Sequence, residues 1–401
     1  MKKTIIALSL LLCLGLTGCR SMLERPYEVS TPHVDRPATA EDPSILRVEN
    51  YRELVSAVLY FVSQGEETGV IHLYDYPGDA ETDLATACLE VADQDPLGAY
   101  CVDYIKHELV RVVSYHQATL SIHYRRTREQ VASMVNVTGT SAIRAELREA
   151  LGRVQEEVVL RVTYLAEDED SLAALVRETY YDAPATALGM PQVEVNLYPD
   201  SGSQRVVEIL LTYPGDPYEL SANAGQLSHM ADEIAEEYWD LPAEDIPIQA
   251  AQVLYTWTAY DGEGAADPYG ALTEGRADSE GMALAYALLC GQALADQGGN
   301  CDIVEGALTL PAAEIPVGDD ETEGNEDRPL LVTQARFWNV ITLPGSNPLY
   351  LDPAQGETTL HTAQEMFDAG YRWPGGPEEE PEMEETGGEA PELTQEQEET
   401  P

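Results

Sequence analysis

Lysine is nearly absent from this 401-residue chain. Lys2, Lys3 and Lys106 are the only three, and all bases together number 22 against 72 acids. The formal charge of −50 excludes most nucleic-acid binders, whose basic footprint must neutralise phosphates. It equally excludes electrostatic attachment to an anionic lipid surface. Long hydrophobic runs are missing too: after the first segment no stretch reaches the length of a bilayer span, which excludes a second membrane crossing. Metal-ligand spacing is absent. His72, His107, His116 and His123 form no His-Glu-x-x-His pattern, so neither a metal nor another cofactor is expected. What remains is ordinary for a globular protein, with 44% hydrophobic and 23% charged residues, and the length allows two to three domains.

Residues 1–19 read as a lipoprotein signal peptide. Lys2 and Lys3 form a positive start, Ile5 to Leu16 is an apolar run too short for a permanent span, and Leu16-Thr17-Gly18-Cys19 closes it. That tetrapeptide resembles the bacterial lipobox, which implies cleavage before Cys19 and lipidation of its thiol, a palmitate-class modification. Loss of Lys2 and Lys3 takes the mature charge to −52 (−50 minus 2). Two acyl chains anchor stably where one is marginal, so the expected location is extracytoplasmic, on the membrane through Cys19. Residues 20–45 hold Pro26, Pro32, Pro37 and Pro43 and read as a flexible tether. Residues 374–401 carry 11 Glu, five Pro and no base, a composition that predicts a disordered acidic tail. Export permits disulfides, and Cys88–Cys101 and Cys290–Cys301 are the two close pairs; the sequence leaves thiol and disulfide open for each.

Between these ends the expected fold class is α+β. Residues 46–130 and 140–222 present the same order of elements, α-β-α-β-β, as two tandem repeats. In the first, Tyr51 to Phe61 and Asp79 to Val91 are helical, and Val70–Tyr74, a run to Val113 and Ala118–Tyr124 are extended. In the second, Ala142–Gly152 and Asp170–Tyr180 are helical, and Val158–Tyr164, Val193–Tyr198 and Arg205–Tyr213 are strands, the last two joined by Pro199-Asp200-Ser201-Gly202. Alternation of Val193/Val195/Leu197 and of Leu120/Ile122/Tyr124 predicts one buried and one wet face. Nothing in this half has catalytic spacing, and a structural or binding role is expected.

Residues 223–373 hold the informative motifs. Helical patterns cover Ala224–Trp239 and Ile248–Thr258. Asp278 and Ser279 are N-cap residues for an apolar helix reaching about Ala295, with Ser279 taken as the cap. Strands follow at Cys301–Leu308, Arg336–Leu343 and Leu349–Pro353. The motifs come in order: Tyr269-Gly270, then Ala277-Asp278-Ser279-Glu280-Gly281-Met282-Ala283, then Val304-Glu305-Gly306, then Arg336-Phe337-Trp338-Asn339, then Tyr350-Leu351-Asp352. This order resembles the bacterial transglutaminase-like superfamily over roughly residues 245–354. The resemblance implies a papain-like domain in which a helix bearing a Cys nucleophile faces a strand bearing a His base, with an Asp on the next strand orienting the His.

The departures fall on the chemistry. Ser279 stands at the Cys position and Arg336 at the His position, while Asp352 is kept. Arg stays protonated in proteins and cannot serve as a base. Cys290 and Cys301 read as core, and His361 lies nine residues past Asp352 without a required role. Arg336 is expected to pair with Asp352 close to Ser279, Trp338 to be core more readily than a platform, and Asp319-Asp320-Glu321-Thr322-Glu323 to be a solvated run without EF-hand spacing. The expected function is therefore binding or scaffolding in the cell envelope by a pseudoenzyme. Its candidate cleft is Ser279, Arg336, Trp338 and Asp352, and its ligand a peptide, a cell-wall component or an envelope protein. The alternative is an active cysteine-protease-like amidase or transglutaminase using a non-standard residue set on peptide or peptidoglycan amides.

Overall fold

Residues 37–40, 42, 44–311 and 331–378 are described in the computed structural model of the chain. The signal peptide with Cys19, most of the tether, the run Asp319–Glu323 and the acidic tail beyond 378 lie outside the described residues.

The first segment opens on a strand. Strand β1 (Ile45–Val48) precedes helix α1 (Tyr51–Gln64), β2 (Thr68–Tyr74), α2 (Ala80–Asp93), the short α3 (Pro96–Cys101), β3 (Val102–Val112) and β4 (Tyr115–Tyr124). Helix α1 starts where the Asn50 side chain accepts from the Glu53 amide at 3.0 Å, and stops at Gly65, whose φ of 65° is left-handed. Its Leu54, Val58, Phe61 and Val62 recur at helical spacing and are buried. The strands pair in the order β1-β2-β4-β3, with β1 parallel to β2 and the other contacts antiparallel. Ile71 and Leu73 on β2 and Ala118, Leu120 and Ile122 on β4 share the buried face.

The next segment follows the same order. After α4 (Arg128–Ala132) come β5 (Val135–Val137), α5 (Thr140–Gly152), β6 (Glu157–Val162), α6 (Glu169–Tyr181), β7 (Gln192–Tyr198) and β8 (Arg205–Thr212). The strand order is β5-β6-β8-β7, with β5 parallel to β6, which is the order of the first sheet. Each segment thus opens on a strand and reads β-α-β-α-β-β, with the short α3 added before β3 in the first, and not the α-β-α-β-β read from sequence. The opening strands were missed because four and three residues are too few to display a period of two.

The chain forms two compact units, Met1–Ile143 with Val158–Glu169 and Val195–Ile209, and Arg144–Glu157 with Asp170–Glu194 and Leu210–Pro401. The boundary crosses 140–222, which the sequence reading kept as one domain. Val159 and Val206 are buried in the core of the first unit with Leu54, Leu84 and Leu120, whereas Leu188 is buried in the core of the second.

In the second unit, α7 (Pro217–Ala235) starts earlier than the hydrophobic pattern suggested. Asp216 accepts from the Tyr218 amide at 2.8 Å, and Pro217 occupies the first helical position, where its missing N–H costs nothing. Then come α8 (Ile246–Trp257), β9 (Ala259–Ala265), α9 (Pro268–Glu274), β10 (Arg276–Ala277) and α10 (Ser279–Ala295). Helix α10 is apolar around its whole circumference from Met282 to Cys290 and is buried in this core over that stretch. Strands β11 (Asn300–Pro311), β12 (Leu331–Thr342) and β13 (Leu349–Leu351), helix α11 (Ala363–Asp368) and strand β14 (Tyr371–Arg372) complete the unit, with sheet order β13-β12-β11-β14. No helix among the described residues is long and apolar enough to cross a membrane.

Candidate functional site

Helix α10 is capped by Asp278, not by Ser279. The Asp278 carboxylate accepts from the Gly281 amide at 2.9 Å, which makes Ser279 the first helical residue. Gly281 sits against the Ala265 carbonyl of β9, where a Cβ would collide with backbone. The helix is tied to the sheet by Asn339, whose fully buried side-chain amide donates to the Ala283 carbonyl at 3.0 Å.

Strand alternation then sorts the motif residues on β12. Asn339 and Ile341 face α10, and Ile341 shares its core with Cys301 and Leu351. Arg336 and Trp338 take the other parity. Trp338 packs with Leu308, Met366 and Tyr371 in a separate cluster. Gly306 stands opposite Arg336 on β11, and a Cβ there would meet the Trp338 ring and the Arg372 carbonyl.

Arg336 and Asp352 do meet. The Arg336 Nε donates to Asp352 Oδ2 at 2.7 Å, and the two residues are 3% and 5% exposed. The same oxygen accepts from the Tyr371 hydroxyl at 2.7 Å, while Oδ1 accepts from the Ala354 amide at 2.9 Å and so starts a 3₁₀ turn at Pro353–Gln355. Gln355 Nε2 donates to the Tyr371 oxygen at 3.2 Å. The ring of Tyr260, 45% exposed, lies 4.8 Å from the Arg336 guanidinium carbon. Burial opposes the Arg336 charge, but the adjacent Asp352 carboxylate outweighs it and raises the guanidinium pKa further. Burial, reinforced by the same carboxylate, also pushes the Tyr371 hydroxyl well above its ordinary range. Arg336 is therefore a fixed cation.

The four candidate residues do not line one open cleft. Trp338 is fully buried, and Ser279 is half-buried without a hydrogen bond to Arg336 or Asp352 among the described residues. Near Ser279 the helix start presents Glu280 instead. Tyr181 donates to Glu280 Oε1 at 2.9 Å, and Arg177, 5.8 Å from the Tyr181 ring, holds Glu305 by two bonds of 2.9 and 2.7 Å. Burial, with further repulsion from Asp278 and Glu305, raises the Glu280 carboxyl above its usual range even though the Tyr181 bond lowers it. On the other side, Asp352 lines a small recess of about 40 Å³ together with Tyr371, Gln355, Glu357 and His361. His361 folds back by pairing its backbone with Tyr350, at 2.7 and 2.8 Å. Sequence reasoning missed Tyr371, Tyr260 and Tyr181, and no local signal marks any of them.

All four described cysteines are free thiols. Burial pushes Cys88 and Cys101 up to about 12 and also raises Cys301, where the neighbouring Cys290 thiol adds to the effect. None has the electropositive, half-open setting of a nucleophile. No group of three or more His, Cys, Asp or Glu among the described residues could hold a metal ion. No family model matches the chain, and no curated protein matches it either.

Proposed function

We propose that residues 223–373 are a catalytically degenerate transglutaminase-like domain with a binding role, carried by a lipoprotein anchored to the outside of the membrane through Cys19. The observation that supports this reading is the buried Arg336–Asp352 pair at 2.7 Å, which fills with a permanent cation the place where thiol or hydroxyl chemistry needs a base. With Arg336, Asp352 and Trp338 enclosed, recognition falls on the accessible shell above them, the exposed face of Tyr260 and the recess bordered by His361. The shared strand order of the two sheets supports a tandem repeat ahead of this domain.

A second reading, residual amidase activity, draws on one observation: His361 lines the small recess that Asp352 also lines. One experiment separates the two. Purified protein is assayed for amine incorporation and for peptide amide release, and a soluble stem-peptide fragment is titrated by calorimetry. The binding reading expects no turnover and a saturable isotherm weakened by Tyr260→Ala. Turnover that disappears in Ser279→Ala or His361→Ala would replace it with the amidase. The anchor has its own test: Cys19→Ala is expected to release the protein from the detergent phase, and unchanged retention refutes lipidation.

A further inference from the structure

A groove of about 720 Å³ lies where the C-terminal end of α10 meets the chain after α7, at the far end of α10 from Ser279. Trp239, Asp240, Leu241, Gln292, Asp296 and Gln297 line it. We propose that it receives a Lys- or Arg-bearing segment of a partner protein, with the cationic head between Asp240, Asp296 and the Trp239 ring.

Three observations converge on a cation. Trp239 is 50% exposed, while its neighbour Tyr238 is buried and bonded to the Leu289 carbonyl at 3.2 Å, so the turn is anchored by one ring and leaves the indole at the surface. The carboxylates of Asp240 and Asp296 have neither hydrogen bond nor ion pair among the described residues, although other acids of the unit, such as Glu178, Asp182 and Glu305, are taken up by arginines. Helix α10 has no base in its last turn, and neither has α7, so no basic side chain of their own last turns offsets the negative ends of the two helix dipoles. Every formal charge lining the groove is negative, and an aromatic face attracts an ammonium or guanidinium as the carboxylates do. A bare metal ion is a poor fit, because an indole offers it no ligand and no three donors cluster there. The space exceeds one side chain, as a peptide segment requires. This site does not depend on the reading of the α10 N-terminus.

The test titrates the protein with the blocked peptide Ac-Gly-Arg-Gly-Arg-Gly-NH₂ and with its citrulline analogue, followed by calorimetry and tryptophan fluorescence. Saturable binding of the arginine peptide and none of the neutral analogue is expected. Asp240→Asn with Asp296→Asn should weaken it about tenfold, since each exposed pair contributes up to about fivefold. Trp239→Leu should weaken it about threefold. The control Asp103→Asn with Glu108→Gln removes the same charge from exposed positions of the first sheet. Equal weakening in the control would reduce the effect to diffuse attraction by an acidic chain. That result, unchanged affinity in either groove variant, or no binding of the arginine peptide would each overturn the proposal.

Discussion

Arg336→Met is the most direct test of whether the second unit depends on its buried ion pair. The substitution keeps an unbranched chain of similar length and removes the guanidinium, leaving Asp352 only 5% exposed. Removing one partner of a buried pair costs about 3–5 kcal/mol, because the remaining charge has lost water as well as its counter-ion. Asp352 retains two donors, Tyr371 at 2.7 Å and Ala354 at 2.9 Å, so the lower end of that range applies, about 3 kcal/mol. Asp352→Asn strands the guanidinium instead and should cost roughly 2–3 kcal/mol, since the amide oxygen still accepts a bond but cannot balance the charge. The double variant leaves neither charge exposed to a missing partner. Its loss should fall short of the sum by at least about 1.5 kcal/mol. Urea unfolding followed by tryptophan fluorescence reads this locally, because Trp338 and Trp373 sit 5.5 Å apart beside Tyr371. Two compact units need not unfold together, so the transition assigned to these tryptophans is the one to fit. A single-variant loss under about 1 kcal/mol, or additivity within about 0.5 kcal/mol, would mean that the pair behaves as a solvated surface bridge and would refute the argument.

Glu280→Gln should stabilise the protein more at pH 7 than at pH 4. The folded carboxyl is raised above its ordinary 4.5, so its protonated form suits the fold and stability declines as pH rises from 4.5 through the raised value; parallel pH profiles for the two proteins would contradict this. Gly306→Ala should cost about 1–3 kcal/mol in the same unfolding assay, because the new Cβ meets the Arg372 carbonyl and the rigid Trp338 ring; a neutral result would show that β14 can move aside. The four described thiols should titrate with Ellman's reagent in denaturant without reductant and stay silent in the native state; fewer than four in denaturant would indicate a disulfide at Cys88–Cys101 or Cys290–Cys301.

Much of the secondary structure was legible because it rests on local chemistry. Helix α10 could be read from an apolar run behind an Asp-Ser pair, and β7 and β8 from alternation on either side of Pro199-Asp200-Ser201-Gly202. What escaped was short or set by partners. Strands β1 and β5 exist because a neighbouring strand completes their hydrogen bonds, β1 against β2 and β5 against β6. The first turns of α7 lay outside the pattern read from Ala224, because Pro217 to Asn223 carry few apolar residues and the start is set by the Asp216 cap. Ser279 was taken for the cap because serine is a good one, but Asp278 reaches the third helical amide and wins the position.

The Arg336–Asp352 contact could be anticipated because antiparallel strands keep register: Asn339 stands opposite Leu351, so residues a few positions off on the same face come within reach of a long side chain. The expectation that Ser279 would join them came from the family pattern, and among the described residues no hydrogen bond links Ser279 to either one. A strand residue can touch the helix on one face only, and on β12 that place is held by Asn339, which binds the Ala283 carbonyl one turn after Ser279. Arg336, three residues before it, must point the other way, toward Trp338 and Tyr371. Tyr371 could not be found from sequence at all, because it reaches Asp352 only through β14 pairing at the opposite edge of the sheet, where Leu308 faces it across β11. Asp352 is thus held by an arginine, a tyrosine and a turn amide, and all three donate to the carboxylate and secure it in place.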